Sequence, residues 1–94
     1  MQQEAAYISL IKAALAKGLT VSVFDGEEWN PSRSSDLNEI RAAVESVEEA
    51  HLSFRNEQGQ PQGSALIIPF GVDPDETVVD HSLTPWIDAV MDAI

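Results

Sequence analysis

The densest group of potential metal ligands in the sequence comprises Asp73, Asp75 and Glu76, followed by Asp80 and His81. Hard cations prefer several converging carboxylate oxygens, and an imidazole nitrogen could complete such a set of ligands. The spacing does not match a calcium-binding loop, because a proline interrupts the cluster and the required glycine and closing glutamate are missing. Aspartate and proline are also common turn-forming residues. We therefore predict a turn at this position and no bound metal.

Nucleophilic catalysis is the second chemistry to consider, because Asp80, His81 and Ser82 contain the residue types of a catalytic triad. Consecutive side chains on a strand or turn point in different directions, so these three do not predict a working triad. The other histidine, His51, is predicted to lie on a solvated strand face. The chain has no cysteine, which excludes disulfides, thiol nucleophiles and thiolate ligands. Phosphate-binding glycine motifs are absent, and we predict neither a catalytic residue nor a cofactor.

Tryptophan side chains are the strongest candidates for binding a partner. Trp29 follows an acidic turn that contains Asp25, Glu27 and Glu28. One interpretation is that Trp29 folds back onto the core beside the second helix. The other is that it anchors an interface and is surrounded by carboxylates, since tryptophan is enriched at binding hot spots. We take Asp25, Glu27, Glu28 and Trp29 as the candidate partner-binding site, and predict that Trp86 packs in the core.

The charge balance restricts the classes of partner. Sixteen Asp and Glu residues oppose five Lys and Arg residues, which gives a formal net charge of −11. Direct nucleic-acid binding is not expected, because it depends on basic residues that displace counterions. Anionic membranes are disfavoured for the same reason. No apolar run approaches the length of a membrane span and the N-terminal residues do not resemble a signal peptide, so we expect a cytoplasmic protein.

The elements that must position these residues begin with a predicted helix over residues 2–17, in which apolar side chains recur every three or four positions. Gly18 is predicted to end this helix. Residues 19–24 alternate and predict a strand, followed by Asp25-Gly26 as a hairpin turn and by a short return strand over residues 27–30.

The middle of the chain predicts a second helix over residues 37–47. Asp36 is expected to cap it, with Glu39 completing a capping box. Residues 50–55 alternate as a strand, and the polar segment 56–63 predicts a hairpin loop.

The last third of the chain predicts two strands and a helix. Residues 64–70 are the most apolar segment and predict a central strand. A turn over residues 71–76 and a short strand over residues 77–79 follow. Thr84 and Pro85 are expected to begin a final helix that extends to Ile94.

These elements predict one α+β domain over residues 1–94, in the order α-β-β-α-β-β-β-α. Strands joined by short polar turns indicate an antiparallel sheet, here of three to five strands, with three helices packed against it.

Several local features also resemble small uncharacterised proteins encoded by phages and prophages. The features are Asp25-Gly26-Glu27-Glu28-Trp29, the helix start Ser35-Asp36-Leu37, the pair Leu52 and Phe54, Gly63 and Asp80. The resemblance spans most of the chain. It implies an accessory role during infection or lysogeny and specifies no activity or site.

The function predicted from the sequence is a small acidic protein-interaction module that acts by contact with a basic protein partner. The first alternative is an inhibitor that mimics the charge of a nucleic acid, because no Lys or Arg follows Arg55 while acidic residues continue to Asp92. A metal-dependent enzyme is a more distant alternative.

Overall fold

The fold comprises three helices and four strands within residues 5–30, 32–69, 77–82 and 84–93, which the computed structural model describes. In chain order these elements are α1 (Ala6–Ala16), β1 (Thr20–Phe24), α2 (Leu37–Glu45), β2 (Ala50–Arg55), β3 (Pro61–Ile67), β4 (Val78–His81) and α3 (Pro85–Asp92). The predicted α+β class with three helices is confirmed.

The four strands form one antiparallel sheet in the order β1-β2-β3-β4. Val23 pairs with Leu52, and Leu52 pairs with Ala65, so these residues share one face of the sheet. The register is irregular at Phe54/Arg55 and at Leu66/Ile67. The apolar strand β3 lies inside the sheet, between β2 and β4, as predicted.

One face of the sheet is covered by helices and contains the core. Helix α1 contacts β1, α2 and α3, and α2 also contacts β1. The largest fully buried side chains come from both layers and are Leu10, Ile11, Val21, Val23, Ile40, Val44, Leu52, Phe54, Ile67, Thr77 and Ile87. Apolar burial against a single layer of helices explains the alternation in β2, where Ala50, Leu52 and Phe54 are buried and the residues between them are more exposed.

The helix ends agree with the sequence at some positions and correct it at others. Gly18 follows α1 with φ of +79°, as expected for a residue that ends a helix. The Asp36 carboxylate accepts hydrogen bonds from the amides of Asn38 and Glu39 at 2.9 and 3.4 Å. The predicted capping box is wrong, because the Asp36 amide donates to Ser34 Oγ at 3.1 Å instead of to Glu39. The Ser34 hydroxyl therefore accepts the hydrogen bond that was predicted for the Glu39 side chain.

The prediction of a short return strand over residues 27–30 is also wrong. In its place the structure has one isolated β-bridge between Phe24 and Trp29. The turn itself is shifted by one residue. A hydrogen bond of 3.1 Å from the Asp25 amide to the Glu28 carbonyl closes it around Gly26 and Glu27. Gly26 has φ of +104°, and the Asp25 side chain satisfies amides at the turn.

One later boundary and one predicted helix cap differ from the sequence prediction, although α3 begins at Pro85 as predicted. Strand β3 begins at Pro61, three residues earlier than predicted, since a proline is tolerated at the first position of a strand. Asn56 tightens the preceding loop by accepting hydrogen bonds from the amides of Gln58 and Gln60. Thr84 precedes α3, but its hydroxyl makes no capping hydrogen bond.

Within the described residues, the helices are all too short or too polar to cross a bilayer.

Candidate partner-binding site

The predicted site residues Asp25, Glu27, Glu28 and Trp29 lie together in one hairpin, which we call the acidic hairpin (residues 25–30). The hairpin follows β1 directly, and the Asn30 amide donates to the Val23 carbonyl at 2.8 Å. The three acidic residues are exposed. The backbone of the acidic residues and of Trp29 is therefore held in place, because the hairpin is hydrogen-bonded at both its tip and its base.

The Asp25 carboxylate organises the tip of the hairpin. Its Oδ1 atom accepts hydrogen bonds of 2.9 Å from the amides of both Glu28 and Glu27. These two hydrogen bonds, with the Glu28 amide first, lower the pKa of Asp25, because they favour the ionised carboxylate. The charge at this position is therefore part of the local structure.

The indole of Trp29 remains 48% exposed. It packs against Phe24 with ring centroids 5.1 Å apart and ring planes at 48°. Phe24 in turn meets the His51 ring edge-on at 6.1 Å. Trp29 does not belong to the hydrophobic side chains that pack against the core, so the interpretation that it folds onto the core beside α2 is wrong.

These aromatic rings lie on the face of the sheet opposite the helices. Register pairs Phe24 with His51 and His51 with Leu66, while Ser22 pairs with Ser53 across the same face. The face contains an open groove of about 600 Å³, which we call the aromatic groove. Its lining residues are Phe24, Trp29, His51, Leu52, Ser53, Ser64, Ala65, Leu66, Asp80, His81 and Ser82.

The sequence identified Trp29 and the carboxylates but not the remaining groove residues. His51 was predicted to be a solvated face residue, and it is exposed, yet it also lies beside Phe24 in the groove. Phe24, Ser53 and Leu66 were missed as site residues. Strand alternation alone places Phe24 and Ser53 on the outer face, but their neighbours on that face depend on strand register.

The triad-like residues are not arranged for nucleophilic catalysis. Ser82 Oγ accepts a hydrogen bond from the Ser64 amide at 3.0 Å. His81 Nδ1 lies 3.0 Å from the Ser82 carbonyl oxygen, and Asp80 accepts from the His81 backbone amide at 2.9 Å. The imidazole therefore contacts a backbone carbonyl, and the carboxylate contacts a backbone amide. Neither contact would activate the hydroxyl.

The acidic cluster considered as a metal site falls largely outside the described residues, since these do not include Asp73, Asp75 or Glu76. Within the described ranges, no three His, Asp or Glu side chains converge as metal ligands. The absence of a metal therefore stays a prediction.

Comparison of the chain with protein-family models, with curated proteins and with solved structures found no match.

Proposed function

We propose that this protein is a small acidic interaction module that acts by contact, docking a partner across the acidic hairpin and the aromatic groove. The observation that supports this most directly is the half-exposed indole of Trp29, which is supported from below by Phe24 at 5.1 Å. A large ring already held in place loses little conformational freedom when a partner covers it. Such side chains are frequent binding hot spots.

The chemistry of the partner follows from the charges around the groove. Glu27 and Glu28 are exposed on one side of Trp29, and exposed Asp80 lines the other end. A segment that inserts one apolar side chain and presents Lys or Arg on either side would complement this surface. Opposite charges at the rim would accelerate association and set orientation more than they would add affinity.

The wider setting of this proposal rests on composition and on the resemblance to phage-encoded proteins. A net charge of −11 opposes contact with duplex DNA and with anionic membranes. We propose a basic protein partner in the cytoplasm, with an accessory role in infection or lysogeny.

The test is a comparison of Trp29→Ala with Val79→Ala, which truncates the other large exposed apolar side chain among the described residues. Binding is measured by fluorescence anisotropy with short peptides in which Leu, Phe or Trp is flanked by Lys and Arg. We expect Trp29→Ala to weaken binding by more than about 1 kcal/mol, roughly fivefold, because it removes the anchor. Val79→Ala should bind like the parent protein.

Two further measurements separate docking from folding. Both variants should unfold close to the parent temperature, since each residue is about half exposed. Peptides with Glu in place of Lys and Arg should bind more weakly than the basic set. A large fall in melting temperature for Trp29→Ala, or equal losses in the two variants, would assign Trp29 a structural role and refute the proposal.

A further inference from the structure

Two of the five basic residues of this acidic chain, Arg33 and Arg55, lie close together on the open face of the sheet. Arg55 Nη1 donates a hydrogen bond of 2.8 Å to the Gly59 carbonyl. The Arg33 guanidinium approaches the same glycine, since a Cβ added to Gly59 would lie 3.1 Å from Arg33 Nη2. Both guanidinium groups therefore lie beside one loop residue.

These two arginines differ from Arg41 in their surroundings. Arg41 forms an ion pair with Glu45 at 3.1 Å. Within residues 5–30, 32–69, 77–82 and 84–93, no carboxylate oxygen lies within 4.0 Å of either the Arg33 or the Arg55 guanidinium. Neighbouring like charges repel, and a bound anion would relieve that repulsion.

A shallow pocket of about 250 Å³ lies beside the two arginines. Its lining residues are Ser22, Trp29, Ser32, Arg33, Ser53 and Arg55. Among the described residues, this lining includes three hydroxyl groups and no carboxylate. The charged groups that these residues contribute are therefore all cationic, although the whole chain has a net charge of −11.

The backbone at Arg33 has an unusual conformation that a hydrogen bond to β1 holds in place. Arg33 has φ of +54°, the one positive φ at a non-glycine position among the described residues. Its amide donates to the buried hydroxyl oxygen of Ser22 at 2.8 Å. Such a conformation costs on the order of 1 kcal/mol and persists where surrounding contacts enforce it.

We infer that this pocket, which we call the arginine pocket, binds a phosphate group. Planar guanidinium groups donate paired hydrogen bonds to oxyanions. A tetrahedral phosphate has enough acceptor oxygens for two guanidinium groups and for nearby serine hydroxyls, whereas a carboxylate has two oxygens. Carboxylates that lie more than about 8 Å from the phosphate oppose its binding weakly, because charges are screened over that distance at physiological ionic strength. The inference is independent of the proposed docking function.

The phosphate can be a free ion or part of a monoester, and Trp29 distinguishes the two sources. Its indole borders both the aromatic groove and the arginine pocket. A planar group attached to a phosphate in the pocket could therefore contact the indole. Inorganic phosphate and phenyl phosphate are the two probes.

The experiment is a titration of the full chain with each probe, followed by amide chemical shifts, with sodium acetate as a carboxylate at matched ionic strength. We expect saturable shifts around Arg33 and Arg55 with a dissociation constant on the order of 1 mM. Arg33→Gln and Arg55→Gln should each weaken binding by about tenfold. Arg41→Gln removes the same charge elsewhere and should leave binding unchanged.

Comparing the two probes then distinguishes a free phosphate ion from a phosphate monoester as the ligand. Equal binding of both would show that the free ion suffices, while tighter binding of phenyl phosphate that Trp29→Ala abolishes would show a monoester on a planar group. Both results support the inference. Shifts that do not saturate, equal shifts with acetate, or an equal loss in Arg41→Gln would overturn it. If Arg55→Gln fails to fold because it loses the hydrogen bond to Gly59, Arg33→Gln still tests the pocket, since it keeps that bond.

Discussion

Asp25 shows how a single carboxylate can be structural while remaining fully exposed. Its pKa is lowered by the amides of Glu28 and Glu27. Above the ordinary aspartate pKa of about 3.9, Asp25 is ionised and its contribution to hairpin stability is fully present. As the pH falls through the lowered pKa, the carboxylate gains a proton and that contribution is lost.

We therefore expect the Asp25 side chain to titrate at a lower pH in the folded protein than in a short peptide of the same sequence. Side-chain carbon shifts measure the midpoint, and hydrogen exchange of the Glu27 and Glu28 amides measures the order of the turn. Asp25→Ala should speed this exchange, while Asp25→Asn should have a smaller effect because it keeps an acceptor oxygen. An ordinary midpoint with unchanged exchange would contradict the role given to Asp25.

The two tryptophans show what sequence context can distinguish at this scale. Trp86 was predicted to pack in the core, and this is confirmed: its ring meets Phe54 edge-on at 5.1 Å and its Nε1 donates to the Gln62 carbonyl at 2.8 Å. The helical spacing of apolar residues around Trp86 predicted this face. Trp29 has no such periodic context, so the sequence left two interpretations open until the Phe24 contact decided between them.

At the scale of elements, the packing of α3 against β3 depends on a glycine. Gly63 has φ of +148°, and a Cβ at this position would lie 2.7 Å from Ile87 Cδ1. Gly63→Ala should therefore destabilise the protein by about 1–3 kcal/mol, because the added Cβ would crowd the buried Ile87 side chain and would sit on a backbone of positive φ. Urea unfolding measures the change.

A matched variant and a rescue separate crowding from backbone strain. Gly26 also has a positive φ, but a Cβ there would meet nothing within 4 Å, so Gly26→Ala reports strain alone. Ile87→Val removes the crowded Cδ1 atom, and the double variant should lose less stability than the sum of the two single changes. Additive losses would show that Ile87 is not the obstacle.

Elements whose boundaries are set by local signals were predicted closely. Strand β2 matches residues 50–55, and α2 begins at Leu37 after the Asp36 cap, as expected. Boundaries set by tertiary pairing were not. Strand β4 extends to His81, beyond the predicted end at Val79, because pairing with Ala65 continues there. No local pattern encodes that partner.

The sequence likewise predicted one part of the candidate site and missed the rest. The acidic hairpin is contiguous in sequence, so its residues could be found together. The aromatic groove and the arginine pocket combine residues from separate strands, and Arg33 approaches Gly59 across 26 positions. Such proximity depends on the sheet register and on the unusual φ of Arg33, which the sequence does not reveal.

For the whole molecule, the net charge of −11 acts as a general repulsion that opposes the compact state. Raising NaCl from about 20 mM to about 0.5 M shortens the screening length severalfold. We expect the melting temperature to rise by on the order of 3 °C, equivalent to about 0.5 kcal/mol.

The identity of the cation provides the control. Choline chloride should give the same rise as NaCl, and calcium, magnesium, manganese or zinc at matched ionic strength should add nothing. A melting temperature that falls with salt would contradict the repulsion. A saturable rise at micromolar metal would instead identify a site and overturn the prediction that no metal binds.

The segment after the acidic hairpin has a consequence for behaviour at high concentration. Val21 and Ser34 exchange backbone hydrogen bonds of 2.8 Å, and Asn30 bonds to Val23 on the same side of β1. An unprotected outer strand is a template on which other chains can add and polymerise into fibres. Here the chain covers that template with its own backbone, so this border of the sheet is closed to self-assembly. The face proposed for recognition can stay open without making the first strand a seed for amyloid growth.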